Sequence, residues 1–146
     1  MTKGDALMRA VMNWGLILAL TATSVAGCRQ AEQAPPLKEL KRAHASTLDI
    51  VLMSQKETLP QGKGTFVLEF RGPDGQLVDV GTVSVNATMT MPGMSPMFGE
   101  SAVKATATKG RYDVTSDLGM AGTWRLSVEW NGPAGRGSAS LPGTVL

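Results

Sequence analysis

The chain has 146 residues, a formal net charge of +2 and a single cysteine. This length accommodates one domain together with an export leader and a tether. The weak charge, with no basic face in the sequence, argues against nucleic-acid binding. One cysteine excludes an intrachain disulfide and any CxxC metal or redox site.

Residues 1–27 have the pattern of an export signal. Lys3 and Arg9 give a positively charged start, and residues 11–23 form a mostly apolar run. The run is too short and too polar at its flanks for a stable membrane span. We therefore expect the segment to direct export and to be absent from the folded domain.

The end of this segment, VAGC at residues 25–28, resembles a bacterial lipobox. In that motif the thiol, here of Cys28, receives a diacylglyceryl group and the cysteine becomes the first mature residue. We expect a lipid-anchored protein of the cell envelope that faces the periplasm. An ordinary signal peptide with a chance cysteine and an uncleaved anchor are the alternatives. Arg29, by resemblance to enterobacterial sorting rules, slightly favours the outer membrane.

Residues 28–45 are polar and include two consecutive prolines and a run of charged side chains. This composition predicts a tether between the lipid and a domain at residues 46–146, with a short helix over residues 37–43 as an alternative. His44, the only histidine, lies where tether and domain meet. It is a candidate metal ligand, although a solvated linker histidine is the simpler interpretation.

The segment 46–146 alternates apolar and polar residues between Gly/Pro turns, which predicts short β-strands. About seven strands over roughly 100 residues are typical of an all-β, immunoglobulin-like sandwich. Its core is expected to contain Trp124 and Trp130. The predicted strands cover residues 48–52, 66–70, 77–80, 82–90, 102–108, 110–114, 123–130 and 138–141.

Four methionines, Met89, Met91, Met94 and Met97, fall within nine residues, and Met120 is a fifth candidate from elsewhere. Thioethers are soft, neutral ligands that suit Cu(I) or Ag(I) and suit hard cations poorly. The run MPGM within the cluster predicts a turn that brings these side chains together. Methionine also fills gaps in cores, and the strand alternation makes Met89 at least as good a core residue as a ligand.

Three runs occur in a fixed order: MPGM at residues 91–94, GRY at 110–112 and LGMAGTWRL at 118–126. They resemble the YtkA-like domain family, which is related to FixH-like proteins. The resemblance covers roughly residues 48–141 and implies a β-sandwich. Members of that family are exported lipoproteins, membrane-anchored assembly factors for haem–copper oxidases, or domains attached to heavy-metal efflux adaptors.

The resemblance therefore implies a periplasmic role around copper. It places the family's methionine motif on Met91 and Met94, with Met97 adjacent, and its MAGxW motif on Met120 and Trp124. Copper carriers of this general kind often combine methionine with histidine, and no histidine lies within residues 46–146. Any metal site here should therefore prefer Cu(I) to Cu(II).

No enzymatic activity is expected, because the sequence shows no paired carboxylates, Ser/His/Asp set or phosphate-binding loop. Three functional hypotheses follow. The first is a periplasmic lipoprotein that binds Cu(I) or Ag(I) and delivers it to a haem–copper oxidase or a heavy-metal efflux component. The second is a metal-free interaction module that uses the methionine loop as a protein contact surface. The third is a methionine-rich sink for oxidants.

Overall fold

A computed structural model describes residues 35–146 of the chain. The expectations for the signal peptide, for lipidation of Cys28 and for most of the tether lie outside the described residues. The described residues fall within one compact unit, Ala34–Leu146. In this part of the chain, no helix has the length and apolar character that a bilayer span requires.

The described residues form eight antiparallel strands. In the order of hydrogen-bonded neighbours, the strands run β1-β2-β3-β6-β5-β4-β7-β8. Their bounds are β1 (Lys38–Ala45), β2 (Leu48–Ser54), β3 (Gly62–Arg71), β4 (Thr82–Met89), β5 (Met97–Ala105), β6 (Arg111–Leu118), β7 (Gly122–Gly132) and β8 (Gly135–Val145).

Strand β5 joins two layers. Its first residues pair with β4, and from Glu100 onward it pairs with β6. One layer therefore contains β1, β2, β3 and β6, and the other contains β4, β7 and β8. The end strands β1 and β8 also contact each other, so the sandwich is nearly closed. The predicted all-β, immunoglobulin-like architecture is confirmed.

The core lies between the two layers, because successive side chains of a strand point to opposite faces. Strand β7 shows this most clearly: Trp124, Leu126, Val128 and Trp130 are buried. The opposing layer contributes the inward-facing apolar side chains of β2, β3 and β6. These include Leu48, Ile50, Leu52, Phe66, Leu68, Phe70, Tyr112 and Val114.

The prediction of a strand at residues 77–80 is wrong. This segment makes one isolated bridge, between Arg71 and Leu77, and is otherwise irregular. The Val78 N–H donates to the Phe70 carbonyl at 2.8 Å, and Val80 is fully buried. Its apolar residues therefore close one end of the core. In the sequence, their spacing looks the same as the alternation of a strand.

The domain also starts earlier than residue 46. Residues Lys38–Ala45, assigned to the tether with a helix as an alternative, form strand β1 and pair with β2. Leu40, Ala43 and Ala45 are half-buried against the core, with a register shift between Glu39 and Lys41. Charged side chains are common on edge strands, where they oppose pairing with other chains. This charge is what made the segment resemble a tether.

Several connections meet at one end of the sandwich, which we call the methionine end. It consists of the loops at residues 55–61, 90–96 and 119–121, together with the start of β1 and the end of β8. Cross-strand pairs hold these parts together: Lys38 with Ser54, Gly62 with Leu118, Met89 with Met97, and Gly122 with Val145. Met97, predicted to lie in the loop, is the first residue of β5.

Candidate functional site

The loop at residues 90–96 contains the predicted turn. The Met94 N–H donates to the Met91 carbonyl at 3.2 Å, and Gly93 has φ +76°. Pro92 precedes this glycine, as in a type II turn, where proline fixes the first central residue and glycine adopts the positive φ of the second. The turn reverses the chain between β4 and β5, so the side chains before and after it lie close together.

The four methionines of this segment differ in exposure. Met89, at the end of β4, is 8% exposed and belongs to the core. Its cross-strand partner is Met97, and both Met97 and Met91 are half-buried against the core. Met94, at the turn, is 59% exposed. Of the four thioethers, one is therefore buried, two are half-buried against the core and one is in solvent.

Met120 lies in the neighbouring loop, at residues 119–121, and is 39% exposed. Its backbone is held from the core side, because the indole N–H of buried Trp124 donates to the Met120 carbonyl at 2.9 Å. The Gln61 side-chain amide donates to the Gly119 carbonyl at 3.1 Å. Both bonds orient the loop backbone and leave the Met120 thioether at the surface.

Met89 connects the two loops by packing. Its Cε lies over Gly122, where a Cβ would overlap it, and Gly122 has φ +136°. Glycine is needed at this position for both reasons, since a side chain would collide with Met89 and the backbone lies in a region that L-residues rarely adopt. The structure therefore gives Met89 a packing role, which was one of the two interpretations open from the sequence.

His44 lies at the opposite end of the sandwich, beside the β1–β2 turn, and its Nδ1 is 2.5 Å from Asp49 Oδ1. It is therefore separated from the methionine end by the length of a strand. Among residues 35–146, no three His, Cys, Asp or Glu side chains come together as a metal-binding group. The candidate ligands that the structure brings to one end are Met91, Met94, Met97 and Met120.

A model of the YtkA-like family matches residues 42–129. This range includes most of the strands and both methionine loops. The chain belongs to the YtkA-like family. The YtkA-like domain, as matched, begins within β1, in agreement with the early start of the sandwich.

The other two comparisons add less about the YtkA-like domain. A comparison with curated proteins gives no match. Among solved structures, the crystal structure of domains 4 and 5 of the S-layer protein SbsC is similar, with a TM-score of 0.39 and 15% sequence identity. That match covers 68% of this chain and 57% of the S-layer chain, so this chain spans less than two thirds of the length of the S-layer chain.

Two residues of this part of the YtkA-like domain were not recognised from the sequence. Gly122 admits the Met89 side chain, and Phe98, the second residue of β5, is strongly exposed on the outer face. Alternation counted from Met97 would have assigned Phe98 to the surface. The predicted strand began at residue 102, however, and left it in the loop.

The donor set determines the chemistry that the methionine end can perform. Thioether sulfur is neutral and does not titrate, so a site of this kind binds a soft monovalent cation without releasing protons. It also leaves the charge of the cation uncompensated, which is costly in a closed, apolar cavity. Met94 and Met120 are in contact with solvent, which would lower that cost for a bound cation and would leave it a path for release.

Proposed function

We propose that this chain is a membrane-anchored lipoprotein of the bacterial periplasm whose methionine loops bind Cu(I) or Ag(I). It would serve copper delivery, assembly of a haem–copper oxidase or metal efflux. The observation that carries the proposal is the placement of Met91, Met94 and Met97 at the same end of the sandwich as Met120, which comes from a different loop.

The difference in exposure supports a carrier rather than a storage site. Met94 and Met120 are exposed, whereas Met91 and Met97 are anchored against the core. Half-buried ligands give the site a fixed side, and exposed ligands can dissociate to pass the ion to an acceptor. A site that must release its cargo benefits from this arrangement, since open, solvent-accessible coordination permits exchange.

The experiment is a Cu(I) titration under anaerobic conditions against a competing chelator. Residues 29–146 are suitable, because this fragment contains the whole compact unit Ala34–Leu146 and lacks Cys28, whose free thiol would itself bind Cu(I). The test variant is Met91→Leu/Met94→Leu. Leucine is similar in volume to methionine, so the loss of stability should stay below about 1.5 kcal/mol per site.

The matched control is Met53→Leu. Met53 is half-buried on β2, outside both methionine loops, so the Met53→Leu substitution removes one thioether without touching the proposed site. We expect binding by the wild type and the control, and loss of binding in the double variant. The carrier hypothesis fails if the wild type does not compete for Cu(I), or if all three proteins retain it equally.

A metal-free interaction module is the second candidate. Exposed Phe98 favours it, because a solvent-facing aromatic side chain at the same end of the sandwich as exposed Met94 and Met120 fits a protein contact surface. Phe98→Ser separates the two functions. It should leave Cu(I) affinity unchanged if the loops bind metal alone, and it should reduce crosslinking to a partner if this surface mediates contact.

A further inference from the structure

The large exposed apolar side chains of the described residues are concentrated at the methionine end. Leu146 follows the last strand there and is 74% exposed, and Phe98 at the start of β5 is 78% exposed. Met94 and Met120 complete the group. Isolated exposed apolar residues need no explanation, but several at one end of a small domain indicate a surface that is covered in the working protein.

The chain enters the domain at this same end. Strand β1 begins at Lys38, which pairs with Ser54 beside the 55–61 loop. Residues 29–37 separate Cys28 from β1. Nine intervening residues make ten Cα–Cα steps from Cys28 to Lys38, which span about 33–36 Å when fully extended. The far end of β7, at Gly132, lies about 33 Å beyond its start. The opposite end could therefore meet the bilayer only with this connection almost fully extended, so a lipid on Cys28 favours the methionine end as the end near the bilayer.

Charge is distributed accordingly. Within the three loops of the methionine end, the charged side chains are Lys56 and Glu57, and Glu57 pairs with Lys38 at 3.3 Å. The 72–81 segment of the opposite end carries the exposed carboxylate of Asp74, and that of Asp79, which pairs with Lys109 at 3.2 Å. A surface poor in unpaired charge is easier to bring against lipid than one with carboxylates that require hydration.

We propose that the methionine end contacts the surface of the lipid bilayer, with Phe98, Met94, Met120 and Leu146 at the lipid–water interface. The inference rests on the lipid anchor at Cys28 that belongs to the proposed function. Apolar side chains that enter the interface add to the binding supplied by acyl chains. Copper carried by the methionine loops would then be released next to the membrane rather than into the open periplasm.

The test uses the full lipidated chain in vesicles. Since Cys28 is the only cysteine and its thiol carries the lipid, one introduced cysteine is the only free thiol for a fluorescent label. Ser95→Cys and Ala121→Cys place the label at the methionine end, and Asp74→Cys and Ala134→Cys place it at the opposite end. All four positions are exposed. Quenching by a nitroxide on the lipid headgroup then reports distance from the bilayer.

In vesicles of phospholipid that contain no other protein, we expect several-fold stronger quenching at positions 95 and 121 than at positions 74 and 134. Phe98→Ser, combined with the label at 121, should reduce that quenching while leaving Cu(I) affinity unchanged. Equal quenching at both ends, or stronger quenching at the opposite end, would overturn the orientation. Quenching of the methionine end in native membranes but not in pure lipid would overturn lipid as the occupant in favour of a membrane protein.

Failure of the anchor can be recognised separately. Mass spectrometry of the purified chain shows whether Cys28 carries acyl groups, and an unmodified cysteine would overturn both the anchor and the orientation. Loss of the Cu(I) site would instead appear only in the metal titration, with the quenching pattern intact. Failure of the metal site and failure of the orientation therefore appear in different measurements.

Discussion

The hydrogen bond from Trp124 to the Met120 carbonyl provides the sharpest test of how this domain holds its methionine loops. Trp124→Phe removes the indole N–H but keeps an aromatic ring in the same part of the core. The loop at residues 119–121 then loses the bond, 2.9 Å long, that orients its backbone from below. The substitution should affect both the stability of the domain and the position of Met120.

The magnitude follows from two contributions. A hydrogen bond of this kind is worth about 0.5–1.5 kcal/mol. Truncating a buried tryptophan to alanine costs about 3–5 kcal/mol, and phenylalanine keeps most of the ring, so the packing loss is about 1–2 kcal/mol. The total loss is about 1.5–3.5 kcal/mol. For a domain of this size, that lowers Tm by roughly 6–15 °C.

The matched control is Trp130→Phe. Trp130 is buried at the other end of the same strand and packs edge-on against Phe70 at 5.4 Å between ring centroids. It loses comparable volume without touching the methionine loops. Urea unfolding gives the stability of each variant, amide hydrogen exchange reports protection at residues 119–122, and Cu(I) titration reports the site.

We expect Trp124→Phe to increase exchange in the 119–122 segment and to weaken Cu(I) binding, whereas Trp130→Phe should only lower stability. If both variants lose the same stability, show the same loop protection and bind Cu(I) equally, then the Trp124 bond does not position Met120. Trp124 would then act only as a core residue.

Two further predictions concern stability away from the site. A backbone N–H and the ammonium of Lys109 lower the pKa of Asp79, so this carboxylate stabilises the fold above its ordinary pKa and loses that contribution as the pH falls through its folded value. Urea unfolding should therefore find Asp79→Asn less stable than wild type at neutral pH, with the difference vanishing in strong acid; a constant difference would contradict this. Gly137→Ala would place a Cβ 2.7 Å from Cε2 of the buried Trp130 ring, so thermal unfolding should show a loss of about 1–3 kcal/mol. The exposed neighbour Ser138→Ala should cost little, and equal Tm values for the two variants would refute the steric argument.

The sequence determined the fold class, because a side-chain period of two is a local property that survives without knowledge of the partners. It located most strands, the MPGM turn and the buried face of β7. It also indicated the YtkA-like family through short runs in fixed order, and the family match at residues 42–129 confirms this.

The local sequence pattern did not predict a segment correctly where that segment packs against residues distant in the chain. Strand β1 looks like a tether because an edge strand can be charged and still pair, and only β2 reveals it as part of the domain. Residues 77–80 look like a strand because Val80 is buried, yet this segment closes the end of the core instead of pairing along its length.

The methionines show most clearly which features follow from the sequence and which depend on the tertiary structure. Their number and their soft donor chemistry are read directly from the sequence. Which ones face solvent depends on the register of β4 against β5 and on the space left by Gly122, and these are long-range features. Antiparallel pairing then brings Met120 and the start of β1 to the same end as the MPGM turn. That convergence exists only in the tertiary structure, because it depends on strands that are far apart along the chain.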